Sequence, residues 1–293
     1  MSSVIVGCSG GAGIAKKVAK KLHLQYSALN AEKFPDNELH VGFTIPIKNK
    51  KVWLVQSFFG NISDKILESL FALQTAKDLG AAEVVLVAPY FPYLRQDKRF
   101  GSGESISAKI VAKIFSGFDK VFVVEPHAHR LKEFKEFFHN ASKVSAAKAI
   151  EEYIDKNFDD YVLIGPDEES ANWIIPVSEL LLTRPIIFKK KRISPRKVKL
   201  ISKLNKERRG RAKVAIIVDD IISTGNTMIE AGKEAKKIAD KVCFIGIHGI
   251  FAENSLKKLK KSGKVVSSNS IPSSASKIDL SGVVADVIEK FAK

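Results

Sequence analysis

The segment from Val214 to Thr227, VAIIVDDIISTGNT, places two adjacent carboxylates before a loop of small hydroxyl and amide residues. An apolar strand leads into Asp219 and Asp220, and the loop opens a helix predicted to end near Ala239. Backbone N–H groups at the positive end of a helix hold phosphate, while carboxylates suit ribose hydroxyls or the waters of a magnesium ion. An ordinary strand-to-helix turn, with Asp220 near the N-cap, is the alternative. Paired acids followed directly by such a loop favour a phosphate-binding site.

The stretch RQDK, Arg95 to Lys98, follows another predicted strand, Val84 to Ala88. It places a guanidinium, an amide and an ammonium group where the charge of a triphosphate can sit. An exposed charged loop is the alternative, and the nearby Tyr90 and Tyr93 favour a functional role.

Single polar residues follow other predicted strands as well. Glu125 and His127 come after the strand Val121 to Val124, and Asp167 comes after the strand Tyr161 to Ile164. Open α/β sheets bind their ligands at the carboxyl ends of strands, so these are candidate site residues. A lone histidine at a strand end is more often an ordinary hydrogen-bonded side chain, which leaves both interpretations of His127 open.

Short β-branched apolar runs alternate with amphipathic stretches, and these elements must position the candidate residues. Their order predicts an α/β protein with covered, mainly parallel sheets. One helix is predicted from Asp64 to Leu79, with Ser63 or Asp64 as N-cap and Gly80 just past its end. The predicted strands are Val4 to Val6, Val52 to Val55, Val84 to Ala88, Val121 to Val124, Tyr161 to Ile164, Pro185 to Phe188, Val214 to Val218 and Val242 to Ile247.

The length of 293 residues, at about 150 residues per domain, suggests two domains. A polar stretch from Asn140 to Ser145 predicts the boundary, which gives domains over residues 1–143 and 144–293. Strands at Val84 and Val214 that both lead into polar segments are compatible with a duplicated domain. The last helix, about Ser281 to Ala292, is a candidate to pack back onto the first domain.

The chain is strongly basic, with 48 Lys and Arg against 32 Asp and Glu and a net charge of +16. Such a charge suits nucleic acid or small phosphorylated substrates, and it does not choose between them. Two distant cysteines, Cys8 and Cys243, argue against a disulfide framework and a structural zinc site. No apolar run approaches the roughly 20 residues that span a bilayer. These features predict a cytoplasmic protein that does not bind a membrane.

Several motifs together resemble the ribose-phosphate pyrophosphokinase family of the phosphoribosyltransferase superfamily. DDIISTGNT resembles the ribose-phosphate signature of that superfamily, and PYFPYLRQDKRF at 89–100 resembles the hallmark of the pyrophosphokinases. The other matches follow in order along nearly the whole chain. They are FPDNE at 34–38, SISAKIVAKIF at 105–115, VEPHAH at 124–129, GPD at 165–167 and KKR at 190–192.

The resemblance implies a role for each matched segment. A mobile loop would lower Lys190 and Arg192 over the diphosphoryl group in flight and stabilise its charge, although a solvated basic loop is the default for such a run. His127 and Asp167 would contact ATP phosphate or its magnesium. The implied ATP-binding residues are Phe34, Asp36, Glu38, Arg95, Gln96, Asp97 and Lys98. The implied ribose 5-phosphate-binding residues are Asp219, Asp220, Ser223, Thr224, Gly225, Asn226 and Thr227.

The resemblance also implies a fold and a reaction. The fold is two tandem phosphoribosyltransferase-like domains, each a mainly parallel sheet flanked by helices, with ATP on the first and ribose 5-phosphate on the second. The reaction is magnesium-dependent transfer of the diphosphoryl group of ATP to the C1 hydroxyl of ribose 5-phosphate. The implied assembly is a homodimer or larger homo-oligomer, in which the Phe34 loop reaches a neighbouring subunit's site. Neither nucleic acid nor a membrane is an expected partner.

Three segments depart from the family pattern. Asn37 stands where glycine is usual, and Glu125 stands where aspartate is commoner. PDEES at 166–170 adds Glu168 and Glu169 near a site that should hold phosphates, so these side chains either point away or help to hold a cation. In the run from Lys189 to Lys191 the choice of the catalytic lysine stays open.

Three other functions compete with this hypothesis. A catalytically silent relative would keep the fold and regulate active partners. The PDEES departure favours it, and the retained Lys190, Arg192 and RQDK segment argue against it. An ordinary phosphoribosyltransferase would need one domain and no RQDK segment. A nucleic-acid-binding protein would show affinity that falls steeply with salt.

For Phe34, Asp36 and Glu38 the residues alone indicate only a turn.

Overall fold

The computed structural model describes residues 2–127, 131–194, 197–201 and 210–292, and it describes the backbone but not the side chains at 131–133, 190–194, 197–201 and 292. The chain forms two compact units. The first runs to Val144 and takes in the chain again from Leu280, and the second is Ser145–Asp279. Each unit contains a mainly parallel sheet with helices, which confirms the predicted fold class.

The sheet of the first unit has seven strands in the order β3-β2-β1-β4-β5-β6-β7. All neighbouring pairs are parallel except β2 and β3. The strands are β1 Ser3–Gly7, β2 Gln25–Lys33, β3 Leu39–Phe43, β4 Lys51–Val55, β5 Glu83–Ala88, β6 Lys120–Val124 and β7 Ala141–Val144. The helices are α1 Ala12–Leu22, α2 Ile62–Asp78, α3 Ser107–Ile114 and α4 Leu131–Phe137, with a short 3-10 turn at Phe115–Gly117.

The central strands of this sheet are apolar because both of their faces are covered. Val52, Trp53 and Leu54 in β4 are all fully buried, as expected for a parallel sheet between helices. The predicted helix after β4 is present, and Gly80 follows it in the left-handed conformation. Its predicted N-cap is wrong, because Asn61 caps the helix by accepting from the N–H of Asp64.

The sheet of the second unit has the order β15-β14-β13-β12-β8-β9, and all its neighbouring pairs are parallel. Its strands are β8 Tyr161–Gly165, β9 Ile186–Ile187, β12 Ala212–Ile222, β13 Ala239–Gly249, β14 Lys264–Ser268 and β15 Ser276–Ile278. A separate antiparallel pair is formed by β10 Lys189–Ser194 and β11 Lys197–Ile201. The helices are α5 Ala147–Asn157, α6 Ala171–Leu180, α7 Asn226–Ala235 and α8 Ser255–Lys260, with a 3-10 turn at Ala252–Asn254.

Two predicted boundaries in this unit are wrong. Strand β12 continues through both acids to Ile222, because its ladder with β13 extends to the pair Ile222 and Gly249. Helix α7 ends at Ala235, and Ala239 already begins β13.

The last helix, α9 Ser281–Ala292, belongs to the first unit. The ring of Phe291 lies 5.9 Å from that of Trp53 and 5.2 Å from that of Phe122. No helix in the described parts of the chain is long and apolar enough to cross a bilayer.

Candidate functional site

The segment FPDNE forms the tip of the β2–β3 hairpin in the first unit. The N–H of Phe34 donates to the carbonyl of Glu38 at 2.9 Å, and the Asp36 carboxylate accepts from the N–H of Glu38 at 3.1 Å. Asn37 takes a φ of 71°, a conformation that asparagine tolerates better than most residues. The predicted turn is therefore present, and it presents a Phe34 side chain that is 51% exposed.

The RQDK segment lies in the loop after β5 and is held at its base by the core. Leu94 is buried, and the Gln96 side chain accepts from the Ser107 hydroxyl at the start of α3 at 2.5 Å. Arg95 and Lys98 are exposed, and Asp97 is partly buried. The loop thus offers two cations to solvent from a fixed base, an arrangement suited to a polyphosphate.

His127 follows β6 and is partly buried. The residue two positions before it, Glu125, is 2% exposed and has a φ of 39°. Its carboxylate forms an ion pair with Lys143 at the end of β7. A strained and buried residue therefore precedes the candidate metal ligand.

In the second unit, Asp167 lies in the turn between β8 and α6. Its carboxylate accepts from the N–H of Ser170 at 3.2 Å, and its carbonyl accepts from the Ser170 hydroxyl. Glu168 and Glu169 are exposed, and the Glu168 carboxylate lies 2.9 Å from the ammonium of Lys189. The extra charge of Glu168 is thus balanced by the first lysine of the basic run.

Asp219 and Asp220 occupy the carboxyl end of β12. Asp220 is 2% exposed, and its carboxylate accepts from the N–H of Ile221 at 2.7 Å. Burial, followed by the charges of Asp220 and Asp167, raises the pKa of Asp219 well above the usual aspartate value. The charges of Asp220 and Asp167 therefore add to the cost of ionising Asp219, and a cation or a set of hydroxyl donors would lower that cost.

The loop from Ser223 to Thr227 joins β12 to α7. Gly225 has a φ of 77° and caps α7 without a side chain, and the first turn of the helix contains no acidic residue. The Ser255 hydroxyl fixes the loop by donating to the carbonyl of Ser223 at 2.6 Å. Gly225 is buried, Asn226 is exposed, and Ser223, Thr224 and Thr227 are partly buried.

Lys190 and Arg192 lie two positions apart in β10, opposite Leu200 and Val198 of β11. Their side chains are outside the described part of the structure. The backbone nevertheless places both residues on one arm of a separate two-stranded hairpin.

Within the described residues, the second unit brings Asp220 and Asp167 close enough to Asp219 for their charges to raise the pKa of Asp219. No group of three His, Cys, Asp or Glu side chains converges as a ready metal site in the part of the chain that the structure describes. Sequence reasoning missed Lys143, and it named Lys189 only as a neighbour of the candidate Lys190. Lys143 does not follow a predicted strand, so the pattern that found the other residues gave no signal for it.

Comparison with known proteins gives consistent similarities along the chain. The N-terminal domain of ribose phosphate pyrophosphokinase, as a family, matches residues 3–118, and the phosphoribosyl transferase domain matches residues 135–281. A ribose-phosphate pyrophosphokinase of Methanothermobacter thermautotrophicus is 35% identical over 292 residues, which cover 98% of this chain and 100% of the relative. One from Pyrococcus furiosus is 33% identical over 252 residues, 85% of this chain and 88% of the relative. A crystal structure of phosphoribosylpyrophosphate synthetase from Mycobacterium smegmatis has the same fold, with a TM-score of 0.84 over 99% of both chains at 21% identity.

Proposed function

Because the chain belongs to the ribose-phosphate pyrophosphokinase family, we propose that it carries out that family's reaction with the residues described above. The C1 hydroxyl of ribose 5-phosphate attacks the β-phosphorus of ATP. A bond forms between the C1 oxygen and the β-phosphorus, the bond from that phosphorus to the AMP oxygen breaks, and the hydroxyl proton is released to solvent. The products are phosphoribosyl pyrophosphate and AMP.

The segment from Asp219 to Thr227 carries the proposal for ribose 5-phosphate. The N-terminus of α7 and the hydroxyls of its loop hold the 5-phosphate, because that helix end is positive and lacks an acidic residue in its first turn. The carboxylates of Asp219 and Asp220 accept hydrogen bonds from the ribose hydroxyls. This places the sugar at the carboxyl end of β12.

ATP binds through two segments of the first unit. The exposed Phe34 ring stacks on adenine, and the Asp36 and Glu38 carboxylates accept hydrogen bonds from the purine. The RQDK loop, Arg95 to Lys98, contacts the triphosphate. Support comes from the exposure of the ring and of the two cations on anchored loops.

Phosphoryl-type reactions use a metal ion, and we propose Mg²⁺ here. Asp167 and His127 would hold it, with the phosphates and waters completing its shell, since Mg²⁺ seldom has an all-protein cage. The buried Asp219 carries the added negative charge of Asp220 and Asp167, and a cation held by Asp167 would offset part of that charge. When bound, the ion neutralises charge on the transferring oxygens.

Lys190 and Arg192 stabilise the negative oxygens of the diphosphoryl group during its transfer. Such transfer needs little covalent chemistry from the protein, so positioned cations supply the largest effect. A separate hairpin that carries both residues suits a flap over the site.

The protein is proposed to act as a homodimer or larger homo-oligomer, with the Phe34 hairpin tip completing a neighbouring subunit's site. The half-exposed ring at the end of an edge hairpin supports this arrangement. Both cysteines, Cys8 and Cys243, are free and buried, which suits the cytoplasmic location that we propose.

The reaction is tested by mixing the protein with ribose 5-phosphate and Mg-ATP and measuring AMP and phosphoribosyl pyrophosphate together. Equal amounts of the two products support the proposal, and ADP as the product contradicts it. No turnover in an assembled, folded protein would favour the silent regulatory relative.

The role of Lys190 is tested by K190A, with K191A as the matched control from the same basic run. K190A is expected to lower kcat by about 10²–10³, as for loss of one transition-state donor, while K191A stays close to the wild type. The opposite result would move the catalytic role to Lys191.

A further inference from the structure

Glu125 combines two unfavourable features at one position. Its φ of 39° lies in the left-handed region, which the Cβ atom of any L residue disfavours. Its side chain is 2% exposed, and a buried carboxylate loses its hydration. A residue in this state persists only where its surroundings hold it there.

Two contacts from the neighbouring strand hold Glu125. Its N–H donates to the carbonyl of Val144 at 2.9 Å, which extends the β6–β7 ladder by one rung. Its carboxylate forms the ion pair with Lys143, whose side chain is 23% exposed. The end of β7 therefore fixes both the backbone and the side chain of Glu125.

This strained turn directs the chain that leaves β6 toward His127, two residues on. Backbone strain tends to occur where a site uses the geometry that it creates. We propose that the Glu125–Lys143 ion pair is a positioning device that sets the direction of His127 toward the metal–triphosphate. The inference rests on the proposed function, because His127 is a metal or phosphate contact only there.

Glu125 is not itself a metal contact in this proposal. Its carboxylate is almost fully buried and is already paired with an ammonium group, so it acts through the turn. Lys143 is likewise a positioning residue in this proposal, since its ammonium group is paired with the Glu125 carboxylate.

A second ion pair in the same unit shows what a purely structural pair looks like. Lys51 and Glu83 are paired at 2.8 Å with side chains 10% and 26% exposed. They are register partners at the start of β4 and β5, and neither has a positive φ. Lys51 therefore provides a matched control at the opposite end of the sheet from His127.

The experiment compares K143M, K143R, K51M and H127A in the full-length protein. Binding of α,β-methylene-ATP with Mg²⁺ is measured by calorimetry without ribose 5-phosphate, and kcat and KM are measured separately. K143M is expected to weaken binding of the magnesium–nucleotide complex by about 10–100-fold, the usual effect of losing a partner that orients a metal ligand. K143R is expected to restore most of it, and K51M to bind as the wild type does.

The outcomes separate this inference from the proposed function. If H127A weakens binding and K143M does not, the positioning role is wrong and the site stands. If H127A has no effect, the assignment of His127 fails and the inference falls with it. Should K143M fail to fold, E125Q/K143M buries no unpaired charge, and wild-type binding by that variant would also overturn the inference.

Discussion

The left-handed Gly225 at the start of α7 gives a prediction whose size follows from the structure. In G225A the alanine must keep a φ of 77°, which costs about 1–2 kcal/mol for a residue with a Cβ atom. The new Cβ would also lie 3.2 Å from Leu259 Cδ1 and 3.2 Å from Ser255 Cβ. Overpacking of this kind adds about 1–3 kcal/mol. The expected loss in the free energy of unfolding is therefore about 2–5 kcal/mol.

A matched control lies in the same unit. Gly210 has a φ of 95°, and a Cβ atom added there meets nothing within 4 Å. G210A should therefore lose only the conformational part, about 1–2 kcal/mol. The difference between the two variants measures the packing of the loop against Leu259 and Ser255.

The assay pairs urea denaturation of both variants with the KM for ribose 5-phosphate. If the G225A loop relieves its strain by moving, its binding-competent conformation becomes less populated. Each 1.4 kcal/mol of free energy that disfavours that conformation raises the KM about tenfold. G210A should leave this KM unchanged. Equal stability losses in the two variants, with an unchanged KM in G225A, would show that Leu259 and Ser255 do not restrict the Gly225 loop.

Two further predictions concern single side chains. Because burial raises the folded-state pKa of Asp219, the contribution of this side chain to stability is complete below the usual aspartate pKa of about 3.9 and is lost as the pH rises toward the folded-state pKa. D219N removes this loss, so urea denaturation should find it more stable than the wild type at pH 7.5, and the difference should vanish near pH 4. Turnover of ribose 5-phosphate should be lost in D219N. A D219N variant that is less stable than the wild type at pH 7.5 would contradict the burial argument. F34A should change the free energy of unfolding by less than about 0.5 kcal/mol, since the ring is 51% exposed. Loss of base stacking worth about 1–3 kcal/mol should raise the KM for ATP by roughly 5–150-fold, and an unchanged KM would remove Phe34 from the adenine site.

The buried parallel strands could be predicted because their composition shows their burial. Val52 to Val55 is a continuous apolar run, and β4 occupies that position. The carboxyl-end rule also predicted Asp167 and Asp219 at one edge of a sheet, and the charge of Asp167 helps to raise the pKa of Asp219. In both cases a local pattern carried the necessary information.

Other features could not be predicted because they depend on long-range pairing. Strand β12 extends through its two acids because β13 offers partners there, a fact that the polarity of Asp219 and Asp220 conceals. The Glu125–Lys143 pair joins the ends of two neighbouring strands. Strand β7 contains no apolar run from which the strand could be predicted. The edge strand β3 and its neighbour β2 mix polar and apolar residues, so only the turn between them gave a signal.

The placement of α9 in the first unit has a consequence for synthesis on the ribosome. Trp53 is translated before the second unit, but its contact with the ring of Phe291 forms only after that unit has been translated. The second unit, Ser145–Asp279, is one continuous stretch and leaves the ribosome complete before that helix does. During synthesis the second unit can therefore fold before the first unit, which becomes complete only when α9 has been translated.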